Sequence, residues 1–532
     1  MLNTIRARRG MVVAPHALAA QAGLDVLRDG GNAIEAAIAT AASLAVVYPH
    51  MTGIGGDAFW LVRAPGTEPV FIDACGAAAL RATPAFYAGH GLGEIPTRGP
   101  LAALTTAGAV SAWHAAGTIS RNDWGGRMPM ARLLEDAVEH AARGYPVTAS
   151  QSRTTAARLD ELRAVPGFAD TFLAKDSARP GGALEQQPRL AATLEQLGRA
   201  GVDDFYRGEL AASLAADLDA VGSPLGRGDL EAHRASLAAP LSVDLACGRV
   251  YNAPPPTQGV ASLMILALFE RMGGQAVEPD GAEHIHRLVE ATKMAFRMRD
   301  RHVRDPRDMQ LEVESLLQDG VLDGLVQGFD PARAAPWGGA GDMGDTTWFG
   351  VIDGEGRAVS AIQSIYHEYG SGVVLPQTGI VWQNRGLAFA LDPASPRVLQ
   401  PGRKPFHTLN PAMAELRDGR LMVCGTMGGD GQPQTQAAVF SRYAMYGQEL
   451  QAAVTAPRWL LGRTWGSNSN TLKLESRLPA GVIRALGTKG HETEVVREFD
   501  EMMGHAGAIV RDAHGVLAGA ADPRGDGSVA AF

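Results

Sequence analysis

From Asp330 to Asp345 the chain reads Asp-Pro-Ala-Arg-Ala-Ala-Pro-Trp-Gly-Gly-Ala-Gly-Asp-Met-Gly-Asp, and the next two residues are Thr346 and Thr347. The run is rich in Gly and Pro and has no apolar period, so it has no face to bury and is expected to be a mobile connection. The segment after it differs in kind. Thr346 to Ile352 and Ala358 to Ile365 are strand-like and are joined by Asp353-Gly-Glu-Gly356, which predicts a β-hairpin. A flexible tail therefore delivers a threonine to the first position of a strand, and the fold must let that tail reach a sheet.

Upstream the pattern is mainly helical. Helices are predicted over Ala17 to Arg28 and Ala33 to Val47, separated at Gly30-Gly31, and over Met130 to Arg143, where Leu133, Leu134, Ala137, Val138 and Ala141 share a face. The segment from Thr148 to about Ala238 is read as mostly helical. Pro254-Pro-Pro256 precedes an apolar helix from Val260 to Phe269, and a further helix carries His286, Glu290 and Lys293. Met51 to Val62 reads as a glycine-rich turn entering a strand, and Pro69 to Ala74 as a second strand. Strands are also expected near Gly379 to Trp382, Leu421 to Cys424 and Ala508 to Arg511. Helices outside and strands supplied by both parts of the chain predict an α/β (α+β) fold of the αββα sandwich type.

Composition matters mainly for what it excludes. The net charge is −9, from 48 basic and 57 acidic side chains without long runs of either sign, so no footprint for nucleic acid or an anionic membrane is present. No stretch is long and apolar enough to span a bilayer. The basic start MLNTIRARRG is not followed by the apolar run of a secretory signal, so a cytoplasmic location is expected. Cys75, Cys247 and Cys424 lack metal or disulfide spacing and read as buried free thiols. No metal and no cofactor are expected.

The chemistry centres on Asp345-Thr346. A threonine hydroxyl can attack the carbonyl of the preceding residue and give an ester that water hydrolyses. The freed α-amine, with an ordinary pKa of about 7.7–8.0, can then act as general base for the hydroxyl of the same residue.

On its own, a Thr-Thr pair opening a strand is usually no more than β-propensity. The wider set of motifs decides the reading. The chain resembles the γ-glutamyltransferase (γ-glutamyl transpeptidase, glutathione hydrolase) family over nearly its whole length. The resemblance is carried by Gly10-Met-Val, Gly30-Gly-Asn-Ala-Ile-Glu-Ala-Ala37, Gly53-Ile-Gly-Gly56, Pro254-Pro-Pro-Thr257, Thr346-Thr-Trp-Phe-Gly-Val-Ile-Asp353, Gly370-Ser-Gly372, Gly428-Gly429 and Gly519-Ala-Ala-Asp-Pro-Arg524.

The resemblance implies an N-terminal-nucleophile hydrolase fold and self-cleavage between Asp345 and Thr346. A large piece, 1–345, and a small piece, 346–532, would remain together as a heterodimer, itself a candidate for dimerisation. It further implies Thr346 as nucleophile, the N–H groups of Gly428 and Gly429 as oxyanion donors, and Ser364 as a hydroxyl that bonds the nucleophile. Thr347 is the family's second threonine. His407-Thr408 stands where transpeptidases have a serine pair.

Two charged partners of a glutamyl head are missing. The family's arginine matches Cys75, the acid that binds the α-ammonium matches Ala388, and an asparagine of the pocket matches Tyr366. Arg385 appears instead, where the family has a neutral residue, as a cation suited to a substrate carboxylate or to a structural ion pair. The chain between Phe389 and Pro405 is also short. This pattern resembles a divergent branch that includes glutaryl-cephalosporin acylases and small-amide hydrolases such as oxamate amidohydrolase. The expected substrate is a small amide bearing a carboxylate, with a true glutathione hydrolase, or an unprocessed binding protein, as alternatives.

Overall fold

The computed structural model describes residues 3–338, 346–463 and 469–532. Two seven-stranded antiparallel sheets form its centre. The first runs, strand by neighbouring strand, Ser528–Ala531, Gly10–Ala14, Thr347–Asp353, Ala358–Ser364, Asp57–Arg63, Val70–Ala74 and Ser236–Ala238. The second runs Ile5–Ala7, Leu517–Ala521, Gly507–Arg511, Leu421–Gly425, Ala412–Leu416, Gly248–Asn252 and Leu241–Leu245. Both sheets take strands from either side of Thr346, so the two parts of the chain share one hydrogen-bonded frame.

Residue alternation along the strands assigns the layers. In Thr347–Asp353, Trp348 and Ile352 point between the sheets, while Phe349 and Val351 point to the outer helices. Because both faces are covered, every residue of this strand is buried, rather than alternating between buried and exposed. Helices Ala17–Arg28, Ala33–Val47 and Ala109–Asp123 cover the first sheet, and Gly259–Arg271 and Gly431–Phe440 cover the second. The result is the expected four-layer αββα sandwich.

The hairpin that begins at Thr347 is fixed at both ends. At its turn, Asp353 accepts from the N–H groups of Glu355 and Arg357, pairs with the Arg357 guanidinium at 2.6 Å, and accepts from Ala33 N–H at 3.0 Å. One carboxylate thus closes the turn and joins it to the N-terminus of Ala33–Val47, where a negative charge is favourable. That helix is completely buried and has a reciprocal cap between Asn32 and Glu35. Near the other end, the Trp348 indole lies between the sheets and donates to Ser360 Oγ at 3.0 Å. Gly350, Gly425 and Gly507 make room for it, since a Cβ on any of them would fall within 2.8 Å of the ring. Truncating a buried Trp to Ala typically costs roughly 3–5 kcal/mol, so the strand that Thr346 precedes is strongly held.

The expected helices and the hairpin are found within a few residues of their predicted bounds, but three expectations change. Gly379 to Trp382 is not a strand; it is a loop with isolated bridges Val374 to Val381 and Gly55 to Trp382. The region from Thr148 to Ala238 is helical but is interrupted by the short pair Leu173–Ala174 and Ser177–Ala178 and ends in the strand Ser236–Ala238. Residues 330–336, expected to be mobile, are tied down by hydrogen bonds to the helix Ala282–His302 and to Lys489. Among the described residues, no helix is long and apolar enough to cross a membrane.

Candidate active site

Thr346 sits just before its strand and is 2% exposed. The hairpin register pairs Thr347 with Gln363, and one further step in that register sets Thr346 opposite Ser364. Ser364 in turn pairs with Asp57 on the next strand. A row of polar side chains, Thr346, Ser364 and Asp57, therefore crosses one end of the first sheet. Ser364 Oγ accepts from Tyr366 N–H at 2.8 Å. The Thr347 hydroxyl donates to the Gln363 carbonyl at 2.8 Å, so it fastens the hairpin immediately beside the nucleophile position.

The second sheet contributes the facing wall. Its strand Leu421–Gly425 runs out into Thr426-Met427-Gly428-Gly429-Asp430, which leads into the helix Gly431–Phe440. Gly428 has φ +117° and Gly429 φ +52°, conformations that a side chain disfavours. Their carbonyls accept from Gly431 and Gln432 N–H. Among the described residues, neither glycine N–H is engaged by another protein group. Two backbone donors at the positive end of a helix form a site for developing negative charge.

A buried relay holds this turn. Gln258 donates through Nε2 to the carbonyls of Thr408, at 2.8 Å, and Gly429, at 2.9 Å. Its Oε1 accepts from Arg299, which also pairs with Asp430 at 2.7 Å. Gln432 reaches across, with Nε2 3.4 Å from Thr346 Oγ1 and Oε1 accepting from Asn410 N–H. None of Gln258, Arg299, Asp430, Asn410 or Gln432 stood out in the sequence. The only pointers were their neighbours, Pro254-Pro-Pro-Thr257 and Gly428-Gly429.

Next to this wall lies a charged cluster. Arg385 is completely buried, with its guanidinium 3.6 Å over the Tyr366 ring and Nη1 3.4 Å from Thr408 Oγ1. Tyr366 adopts φ +81°, a strained conformation for a bulky residue that places its ring under the cation. His407 Nε2 meets Asp57 Oδ2 at 3.1 Å, and Asp57 Oδ1 accepts from Gly76 N–H at 2.9 Å and Gln383 at 3.1 Å. Burial pushes the Asp57 carboxyl up to about 7, against the lowering pull of the Gly76 and Gln383 hydrogen bonds and of Arg385. Burial, with the charges of Arg385 and Lys404, holds His407 well below its ordinary value and therefore neutral. Burial and the nearby carboxylates of Asp57 and Asp73 hold Cys75 well above the ordinary thiol range, so it is a neutral packing group.

The ligating atoms of Asp57, Cys75 and His407 lie within 4.8 Å of one another. Arg385 and Lys404 are close enough to act electrostatically on the same group, and two fixed cations oppose a divalent metal there. Ala388, which stands where transpeptidases have an acid, packs among apolar residues of the second helical layer. Asp345 lies outside the described residues. A groove of about 700 Å³ between Met130–Arg143 and Pro188–Ala200 is lined by none of these residues and is separate from the chemistry.

Known proteins are similar to this chain over nearly its whole length. The model of the gamma-glutamyltranspeptidase family matches residues 19–532. The oxamate amidohydrolase proenzyme of Klebsiella pneumoniae is 54% identical over 98% of both chains. The glutathione hydrolase-like YwrD proenzyme of Bacillus subtilis is 40% identical over 99% of both. The crystal structure of cephalosporin acylase from Bacillus halodurans superimposes with a TM-score of 0.90 at 35% identity, over 100% of this chain and 97% of that one. The fold is that of the N-terminal-nucleophile hydrolases.

Proposed function

The chain belongs to the gamma-glutamyltranspeptidase family and is an amidohydrolase of the N-terminal-nucleophile type, and on that premise we propose that it matures by cutting itself between Asp345 and Thr346 and then hydrolyses a small amide that bears a carboxylate but no α-ammonium. The observation that carries the substrate reading is Arg385: a buried cation stacked on Tyr366 and next to Thr408, at a site where Cys75 and Ala388 offer neither partner of a glutamyl head. The naming of relatives as an oxamate amidohydrolase and a cephalosporin acylase supports it.

In maturation, Thr346 Oγ attacks the Asp345 carbonyl, the C–N bond breaks, and an ester forms as the α-amine is released. Water then cleaves the ester to an Asp345 carboxylate and the free hydroxyl. In turnover the amine takes the hydroxyl proton as Oγ attacks the substrate amide, and Gly428 and Gly429 N–H bind the oxyanion. The same proton passes to the leaving nitrogen, ammonia or an amine departs, and water releases the acid. Ser364, opposite the nucleophile, fits a hydroxyl that orients Thr346. Gln432 supports it from the facing wall. His407 and Thr408 line the acyl pocket with Arg385. The two pieces, 1–345 and 346–532, remain one heterodimer because each supplies strands to both sheets. The free cysteines suit a reducing compartment such as the cytoplasm.

The test is a panel of glutathione, a γ-glutamyl anilide, a glutaryl amide and oxamate, assayed on processed protein and on Arg385→Ala. One hydrogen bond to a charged group is worth about 1.5–3 kcal/mol, so Arg385→Ala should cost the carboxylate substrates roughly 10- to 150-fold in kcat/KM. A wide preference for the γ-glutamyl compounds, or four rates unchanged by Arg385→Ala, would return the plain transpeptidase reading.

A further inference from the structure

The helix Ala282–His302 carries His286, Glu290 and Lys293 at helical spacing, and all three are buried although none belongs to the candidate active site. With His491 they form a cluster in which the ligating atoms of His286, Glu290 and His491 lie within 4.8 Å. A metal is one use of such a group. Their hydrogen bonds show a different one. His286 Nδ1 meets His491 Nε2 at 2.8 Å, and His286 Nε2 meets the Asp330 carbonyl at 3.0 Å. Glu290 Oε1 pairs with Lys293 at 2.7 Å, and Glu290 Oε2 accepts from Ala335 N–H at 3.1 Å. The imidazole nitrogens of His286 and both oxygens of Glu290 are therefore already engaged, and Lys293 brings a positive charge to the place a metal would take.

Most of those bonds converge on one stretch of backbone. Lys293 donates to the Ala335 carbonyl at 2.6 Å, Arg297 to Pro336 at 2.7 Å, and Lys489 to Pro331 at 2.6 Å. Ala334 N–H donates to the Lys489 carbonyl at 2.7 Å. Trp337 then packs beside Gly462, where a Cβ would come within 3.3 Å of its indole nitrogen. The cluster reads backbone rather than side chains, so it fixes the position and register of residues 330–336. The next residues lead to Thr346, ten positions beyond Pro336, a span of at most about 36 Å even when fully extended.

We propose that His286, Glu290, Lys293 and Arg297 form a clasp that positions the tail of the future large piece so that the bond before Thr346 meets the cleavage machinery. They are positioning residues of maturation and have no part in amide turnover. Tethering the tail ten residues upstream of Thr346 shortens the free span and so lowers the loop entropy that opposes bringing that bond into place. The inference rests on the self-cleavage reading.

The test is the rate of self-cleavage of the full chain, followed by denaturing electrophoresis on freshly made precursor, for the parent, Glu290→Gln, Lys293→Ala, Lys293→Arg and Arg297→Ala. Arg297 is solvent-exposed, so that variant remains informative if a buried one fails to fold. The expected result is cleavage at least about tenfold slower in Lys293→Ala and Glu290→Gln, a smaller delay in Arg297→Ala, and partial rescue in Lys293→Arg. Once fully cut, each folded variant should match the parent in kcat/KM within about twofold. If the parent itself stays uncut, the maturation reading fails. If the parent cuts and Arg297→Ala and the other folded variants cut equally fast, or if cleavage and amide turnover fall together, the clasp is overturned.

Discussion

Two buried charge clusters in this molecule are built in opposite ways. Near the C-terminus, Arg524 makes a two-pronged pair with Glu475 at 2.7 and 2.8 Å and bonds Asp522 at 3.0 Å, while Arg458 pairs with Asp522 at 2.5 Å. Burial alone would raise both carboxyls, but the guanidinium hydrogen bonds and charges win and hold Glu475 and Asp522 below their ordinary values. In the candidate site, Asp57 accepts from Gly76 and Gln383 and shares a hydrogen bond with His407 among the described residues, with Arg385 acting on it from a distance. There burial wins and the carboxyl rises to about 7. Similar burial thus leaves the carboxyls below their ordinary values in one place and raises the carboxyl in the other. Direct arginine contacts make the difference. The first arrangement holds the turn that follows the strand Leu517–Ala521 in place, and the second, on the function proposed above, keeps polar capacity available for a substrate.

The comparison can be broken most severely at Arg524. Arg524→Met leaves Glu475 and Asp522 short of a partner, and breaking a buried pair typically costs 3–5 kcal/mol, about the largest effect expected here. Denaturant unfolding measures it. A loss below about 1 kcal/mol would show that the network is not structural. The pH dependence has a definite sign: depressed carboxyls add stability above the ordinary carboxylate range, and it is lost as pH falls through their folded values.

At the site the effect should fall on rate instead. Gly428→Ala puts a side chain where φ is +117° and disturbs an N–H donor, and loss of one such donor costs about 10²–10³ in turnover. Turnover equal to the parent would remove the oxyanion role from this turn.

The smallest expected effect is the one most specific to Asp57. Its raised value means that the folded protein gains from the neutral acid below about pH 3.8 and loses that gain as pH rises through about 7. Ionised Asp57 also offsets the charge of Arg385, so KM for a carboxylate substrate should climb severalfold as pH passes 7, while Asp57→Asn should flatten the climb. Two identical KM profiles would place the titration outside the pocket.

Local sequence made some of this legible and long-range pairing hid the rest. The hairpin was readable because turn chemistry and two strand-like runs lie within twenty residues of each other. Thr346, Gly428-Gly429 and Arg385 could be named because motif order survives in the chain. Asp57 could not, since it follows Gly55-Gly56 as an ordinary strand residue and becomes a site residue only when Asp57–Arg63 pairs with Ala358–Ser364. Gln258 and Gln432 are likewise defined by partners far away in sequence. Gly379 to Trp382 looked like a strand because its residues are β-prone, but Gly379 has φ +70° and its neighbours form only isolated bridges. The Gly- and Pro-rich composition of the tail matches the lack of helix or strand in its described part, residues 330–338. It gave no sign that residues 330–336 would be held by side chains of a helix forty residues upstream.

The most direct measurement of the central claim is the intact mass and N-terminal sequence of the polypeptides in purified protein made from the full chain. The account predicts two pieces, with the smaller beginning Thr-Thr-Trp-Phe at Thr346, and a single uncut chain for Thr346→Ala. A parent chain that stays whole while hydrolysing amides, or a smaller piece that starts at any other residue, would contradict it.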